Sequence, residues 1–177
     1  EKTYKQTDWN QVQFGDMTDT QYSEVNWGKV KTKGMSSETS SNINWSLVDF
    51  GDYTTKSYKQ QDWSKVAIGD LTEEQTSTID WSQKKIWKGQ YAITEEQYSQ
   101  MDWNSVIQGD NFSSKSAKSV NWSAVSAGQV NETSMAKLEG FGLKGKAAAG
   151  VAALKAGQTK EASFALLNDG SAGSSAS

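Results

Sequence analysis

Large apolar residues return along this chain with a period of 18. Trp stands at positions 9, 27, 45, 63 and 81, then at 103 after a four-residue insertion and at 122 after a one-residue insertion. The unit reads approximately Thr-x-x-Gln-Tyr-x-x-Val-Asp-Trp-Ser-x-Val-x-x-Gly-Asp-Met, and residues 131–143 read as a decayed further copy without its Trp. A fixed period of this length marks a repeat architecture, in which each copy buries its apolar face on its neighbours.

Polar residues punctuate the same frame. One residue type favoured at helix N-caps precedes each repeat Trp: Asp8, Asn26, Asn44, Asp62, Asp80, Asp102 and Asn121. A second lies nine residues before each following Trp: Thr18, Ser36, Thr54, Thr72, Thr94, Ser113 and, at the decayed copy, Asn131. Thr72 with Gln75, and Thr94 with Gln97, have the spacing of a capping box. Gly15, Gly51, Gly69, Gly109 and Gly128 follow the Trp segment, where a left-handed residue commonly ends a helix. The pattern predicts two short helices per unit, the second running from the Trp to the Gly. Helices shorter than about 12 residues are marginal alone, so stacking must stabilise them. The expected fold is an all-α solenoid of short helix pairs. The alternative is a β-solenoid, supported by local alternation at Ile43-x-Trp45 and Ile79-x-Trp81 and by the many Thr, Val and Tyr residues. Caps recurring twice per unit favour helices.

These boundaries divide the chain into a solenoid over 1–143, a capping or assembly segment over 144–170 and a small-residue tail over 171–177. Tyr4, Trp9 and Val12 fit the unit, but no capping Thr precedes Tyr4 by four residues. An uncapped solenoid end exposes apolar surface on which another repeat or a partner is expected to stack. Near the other end, Lys144–Lys155 has a weak amphipathic pattern. Thr159 is placed to cap a separate helix, Lys160–Leu167, stopped by Asn168-Asp-Gly170. A solenoid end cap is the plain reading of this region; a C-terminal secretion signal or an assembly segment is the sharper one.

Composition alters the picture in two ways. Leu, Ile, Val and Phe supply only 28 of 177 residues, which alone would suggest disorder. A net charge of −3 is too small for that reading, and eight Trp and six Tyr supply apolar surface by another route. The absences then narrow the chemistry. With no Cys there is no thiolate site or disulfide framework. With no His the commonest general base and metal ligand is missing. All 18 basic residues are Lys, and the pI is near 5.1, so nucleic acid is not an expected partner. No apolar run reaches membrane-spanning length, and Glu1–Gln6 is too polar for a signal peptide.

Candidate sites are few. The seven indoles of Trp9, Trp27, Trp45, Trp63, Trp81, Trp103 and Trp122 read as a core ladder, each packing on its neighbour; a row of exposed sugar-stacking rings is the less economical reading. Trp87 and Tyr91 differ, because they lie in an insertion (Lys84-Lys-Ile-Trp-Lys-Gly-Gln-Tyr91) that breaks the period. Insertions in solenoids become loops, often on the binding face. Trp87 and Tyr91 with Lys84, Lys85 and Lys88 therefore form the candidate binding surface, beside the alternative of a locally repacked loop. Asp16, Asp52, Asp70 and Asp110 recur after Gly, but one carboxylate per copy is too few for Ca²⁺. The pairs Glu73–Glu74 and Glu95–Glu96 fall in first helical turns, where negative charge complements the helix dipole. No nucleophile motif, phosphate loop or metal cluster is present, so no enzyme activity and no cofactor are expected.

The segments DWSKVAIGDLTEEQ (Asp62–Gln75) and MDWNSVIQGD (Met101–Asp110) resemble tandem repeats of large secreted or surface proteins of marine cyanobacteria, over about residues 4–130. The resemblance implies an extracellular or cell-surface location and a structural or adhesive role, and carries no catalytic residue. The resulting expectation is a non-enzymatic repeat protein, self-assembling into a filament or surface layer, whose partners are copies of itself or neighbouring repeats. The alternatives are a glycan- or partner-binding module that uses the 84–91 insertion, and a component of a virion or appendage. Neither nucleic-acid binding nor membrane insertion is expected.

Overall fold

The computed structural model describes residues 2–168, with side-chain surroundings for 4–160; the tail expected at 171–177 lies outside the described residues. Eleven α-helices occur among them: α1 (Lys2–Gln6), α2 (Asp19–Glu24), α3 (Ser37–Asn42), α4 (Thr55–Gln60), α5 (Glu73–Thr78), α6 (Lys84–Trp87), α7 (Glu95–Gln100), α8 (Trp103–Gln108), α9 (Ser114–Ser119), α10 (Glu132–Gly140) and α11 (Gly145–Asn168). Single 3-10 turns lie between most of them. The described residues contain no strand, so the chain is all-α and the β-solenoid alternative is set aside.

Local hydrogen bonds build the short helices where the caps are. Thr18, Ser36, Thr54, Thr72, Thr94, Ser113 and Asn131 each accept the backbone N–H three residues on. At Thr18, Thr72 and Thr94 a Gln side chain returns the bond to the cap's own N–H, closing a capping box. The first six of these helices have six residues and stop at a residue in extended geometry, as at Val25, Ile43 and Val120, whereas the one capped by Asn131 has nine and ends at Phe141 in helical geometry.

The second helix of each pair is mostly divided. From Trp63 the chain makes one 3-10 turn (Trp63–Lys65), extends at Val66, and makes another (Ile68–Asp70). The same division follows Trp9 and Trp45. The reason lies in the spacing of buried side chains. Trp63, Val66 and Ile68 are all in the core. At 100° per residue, positions i and i+3 share a helix face, but i+5 lies about 140° away. Breaking the helix at Val turns the third side chain inward. Unit 103 confirms the rule, because its buried residues are Trp103, Val106 and Ile107, at i, i+3 and i+4, and here the segment is one α-helix. Gly15, Gly51 and Gly69 therefore sit inside 3-10 turns, and Gly109 caps α8 with φ −69. None of them is left-handed; positive φ occurs only at Gly89, Gly142 and Gly145 among the described residues.

A regular unit thus contributes three segments: a helix, a Trp turn and a Gly turn. The solenoid coil contains four. The Trp27–Lys29 turn packs on Phe50–Asp52, α2 on Trp45–Leu47, Phe14–Asp16 on α3, and α3 on Trp63–Lys65. With the Thr32–Met35 turn (Met35 N–H to Thr32 O, 3.1 Å) counted as the Gly segment of its unit, the partner is in each case the fourth segment along the chain, so one coil takes about 24 residues against a sequence period of 18. Successive Trp residues consequently step around the coil from side to side. The expected ladder of indoles forms at Trp103 with Trp122 (5.9 Å, 46°); elsewhere rings meet as mixed neighbours, such as Phe50 on Trp63 (6.0 Å, 22°) and Phe14 on Trp9 (6.2 Å, 20°).

Six of the seven repeat indoles are buried in one continuous core, and Trp9 is half-buried at the first coil. Each buried indole N–H donates to the carbonyl five residues earlier, as Trp27 to Tyr22 (3.0 Å), Trp45 to Ser40 (3.0 Å) and Trp63 to Tyr58 (3.1 Å). Coils are joined by a small set of recurring bonds. The hydroxyls of Tyr22, Tyr58 and Tyr98 accept the N–H of Asn44 (2.7 Å), Asp80 (2.8 Å) and Asn121 (3.0 Å). The capping-box Gln75 donates to the carbonyls of Trp45 (2.5 Å) and Val48 (2.9 Å), and Gln97 repeats this at Trp63 (2.7 Å) and Val66 (2.8 Å). Ser57, at the same cap position in α4, is too short for that reach and instead meets Gly28 O (2.7 Å). There a Cβ on Gly28 would run into Asp52 O, so only glycine allows the approach.

At the C-terminal side α11 is one helix. Thr159, expected to cap a new one, lies inside it and donates back to Lys155 O (3.3 Å). The helix packs on α9, α10 and the turns at Trp122–Ala124 and Ala127–Gln129. Its Gln158 donates to Ala127 O (3.4 Å) and to Val130 O, repeating the contact that Gln75 and Gln97 make between coils.

Two predictions follow from this packing. Trp63→Ala should cost about 3–5 kcal/mol, and Trp9→Ala clearly less, by chemical denaturation followed by circular dichroism; equal losses would contradict the burial difference. Burial raises the Tyr53, Tyr58 and Tyr98 phenols above the usual tyrosine range, with Tyr58 adding to the effect at Tyr53. The folded protein therefore holds these protons more tightly than the unfolded chain. The stability they contribute is whole below about pH 10 and falls as pH rises beyond it. Ultraviolet titration should show these phenols ionising only together with alkaline unfolding.

Candidate functional site

The 84–91 insertion forms a compact corner of the solenoid. Gln83 leads into α6, Gly89 takes φ +107 in the turn that follows, and Ile93 N–H donates to Ile86 O (3.0 Å) to close the excursion. Helix α6 packs between α4 and α9, so the insertion fills a place in the coil.

That position reverses the expectation for Trp87. Its side chain is 5% exposed, and its N–H donates to Trp81 O (2.8 Å). The ring stacks on Trp103 (5.8 Å, 25°), tilts on Trp81 (5.7 Å, 40°) and meets Tyr98 edge-on (6.1 Å, 62°). Trp87 is therefore a core residue and not part of a binding surface. Helix periodicity is the reason: the four-residue α6 turns Ile86 and Trp87 inward while Lys84, Lys85 and Lys88 remain exposed. Tyr91 is half-buried; its carbonyl accepts from Ser64 N–H (3.2 Å), and Lys33 Nζ lies over its ring (5.4 Å). The insertion thus offers three exposed ammoniums and a ring face already covered by a cation. It has no aromatic platform for a sugar.

The remaining candidates fall into structural places. Glu73, Glu74, Glu95 and Glu96 lie in the first turns of α5 and α7. Among the described residues no three acidic side chains converge as a metal site, and no helix is long and apolar enough to cross a membrane. Asp80 is half-exposed. Desolvation opposes its ionisation, but hydrogen bonds from Ser82 and Gln83 outweigh that and hold its carboxyl below the usual range. This carboxylate is structural, fixing the turn after Trp81.

A second feature was not apparent in the 18-residue alignment. An open groove of about 200 Å³ is lined by Tyr4 and Lys5 from the first coil, by Asn26, Lys29 and Lys31 from the second, and by Asp52, Lys56 and Gln60 from the third. Aligned at 18 residues these lysines occupy unrelated positions. At the coil length they coincide: Lys29 follows Lys5 by 24 residues and Lys56 follows Lys31 by 25. The coil period, invisible before the fold is known, was the signal. Asp52 is the single acid among the lining residues. Its carboxyl is pushed up by desolvation and by Asp49, against a hydrogen bond from the Trp27 backbone.

The insertion makes a direct prediction. Trp87→Ala should lower the unfolding free energy as a core truncation does, by about 3–5 kcal/mol, whereas combined Lys84→Gln, Lys85→Gln and Lys88→Gln should leave it nearly unchanged. A Trp87→Ala protein of undiminished stability would return this residue to the surface.

No protein family, no curated protein and no solved structure matches the chain.

Proposed function

We propose that this chain is a non-enzymatic structural or adhesive array that works outside the cell and assembles with copies of itself into a filament or layer. The observation that carries the reading is the sameness of the joints. The Gln-to-carbonyl contact that links coils at Gln75 and Gln97 recurs at Gln158, in a helix outside the repeat series. A joint that different segments satisfy in one chain is chemically able to form between chains. The half-buried Tyr4, Trp9 and Val12 lie in the first described coil, where Trp9 Nε1 has no partner. Resemblance to secreted repeat arrays supports the location, and the absence of His, Cys and Arg from the sequence supports a role without catalysis.

Negative-stain electron microscopy and sedimentation over a rising concentration series test the assembly. Ordered filaments or sheets are expected, weakened by Trp9→Ala or by Gln21→Ala, since Gln21 holds in α2 the cap position that Gln75 holds in α5. Monomers alone at high concentration would sink the self-assembly reading.

A further inference from the structure

We propose that the groove lined by Lys5, Lys29, Lys31 and Lys56 binds an acidic polysaccharide laid along the solenoid axis. The charge is local and opposed to that of the whole. Four ammoniums and one carboxylate line the groove, in a chain whose net charge is −3. Lys5, Lys31 and Lys56 enter no ion pair among the described residues, unlike Lys65 with Asp62 and Lys155 with Glu139. Their positive charge is therefore not spent inside the protein.

The arrangement selects a linear ligand. Because the cations come from three successive coils, they form a file along the axis, repeating at about the 8–10 Å of packed helices. A compact ion would engage one or two of them; a polymer with regularly spaced charges engages the file. The groove, at about 200 Å³, is also smaller than the roughly 300–1,000 Å³ of pockets that enclose small molecules. Its occupant lies across it.

The other lining groups indicate hydroxyls on that ligand. Asp52 offers a carboxylate acceptor and Gln60 an amide. Tyr4 adds an aromatic wall. Asp52 repels any anion, and duplex DNA, with one charge per about 1.7 Å of its axis, meets that repulsion more densely than an acidic sugar whose charges are spaced by whole rings and flanked by hydroxyls, so a nucleic acid fits less well.

Isothermal titration of the full chain at 150 mM salt tests this, with oligogalacturonate as the carboxylated probe, heparin oligosaccharide as the sulfated one, and a neutral cello-oligosaccharide and duplex DNA for contrast. At that salt screening acts within about 8 Å, so loose attraction is suppressed. One or both acidic sugars should bind. The combined Lys5→Gln, Lys31→Gln and Lys56→Gln variant should bind at least tenfold more weakly, while the Lys84→Gln, Lys85→Gln and Lys88→Gln variant should match the parent. Circular dichroism establishes that both variants remain folded. Absence of binding by either acidic sugar, equal losses in the two variants, or duplex DNA binding as tightly as the sugars would each overturn the proposal. It does not depend on self-assembly, since a strictly monomeric chain that binds leaves it standing.

Discussion

Each buried repeat indole does two jobs at once in this protein. Its ring fills the core beside a Phe, Tyr or Ile from an adjoining segment, and its N–H closes on the carbonyl five residues back, at 2.8–3.1 Å from Trp81 to Thr76 through Trp63 to Tyr58. That carbonyl belongs to the last turn of a six-residue helix, where the intrahelical ladder runs out. At Tyr22 and Ser40 the cap N–H of Val25 and Ile43 shares it (3.3 Å each) and at Tyr98 the Gln129 amide does (3.1 Å), but at Tyr58, Thr76 and Ala117 the indole is its donor. The bond satisfies it out of water, where a lost partner costs about 1–3 kcal/mol. It also fixes the angle between the helix and the turn after it. At Tyr58, Thr76 and Ala117 a residue without the N–H would fill the space and leave the carbonyl orphaned, so Trp63, Trp81 and Trp122 stand where Leu or Phe would satisfy burial alone.

With that corner fixed, segment length does the rest. Three segments make a sequence unit and four make a coil, so the two periods never coincide within a coil. Every side of the solenoid therefore receives helices, Trp turns and Gly turns in rotation. Large and small buried residues are distributed around the axis, as Tyr22, Ser40 and Tyr58 illustrate at one repeat position. Where a unit lacks the Tyr whose hydroxyl accepts the next cap N–H, another coil supplies a substitute: Thr32 Oγ1 accepts Asp62 N–H (3.2 Å). The insertion at 84–91 is absorbed in the same manner, because α6 takes a core place and Trp87 supplies the ring. Lysines that look scattered along the sequence are brought into one file by the same mismatch.

Much of the local structure was legible because it is made by neighbours in sequence. The caps at Thr18, Thr72 and Thr94 bond to residues three positions on, so the spacing of Thr and Gln carries the whole interaction. The split of the second helix was also written there, in the i, i+3, i+5 spacing of Trp63, Val66 and Ile68, but a shared Gly after each Trp segment suggested a C-cap instead. Thr159 misled for a related reason. Its hydroxyl has two local uses, capping a new helix or bonding back within an old one, and only the surface beneath α11 decides between them. Trp87 was misjudged because an insertion in a repeat reads as a loop, whereas a four-residue helix turns one pair of side chains inward.

The sequence by itself determined that short helices form, where they start, and that they must stack, since caps and apolar spacing act over a few residues. It could not state how many segments close a coil. That number depends on the angles at which turns meet, and on contacts between residues some 22–31 positions apart, such as Tyr22 with Asn44 and Gln97 with Val66. Only the tertiary structure decided which Trp faces which neighbour, that Trp87 lies inside, and that Lys5, Lys29, Lys31 and Lys56 share one groove. The physical reason is that stacking selects the coil length, and the coil length selects every neighbour.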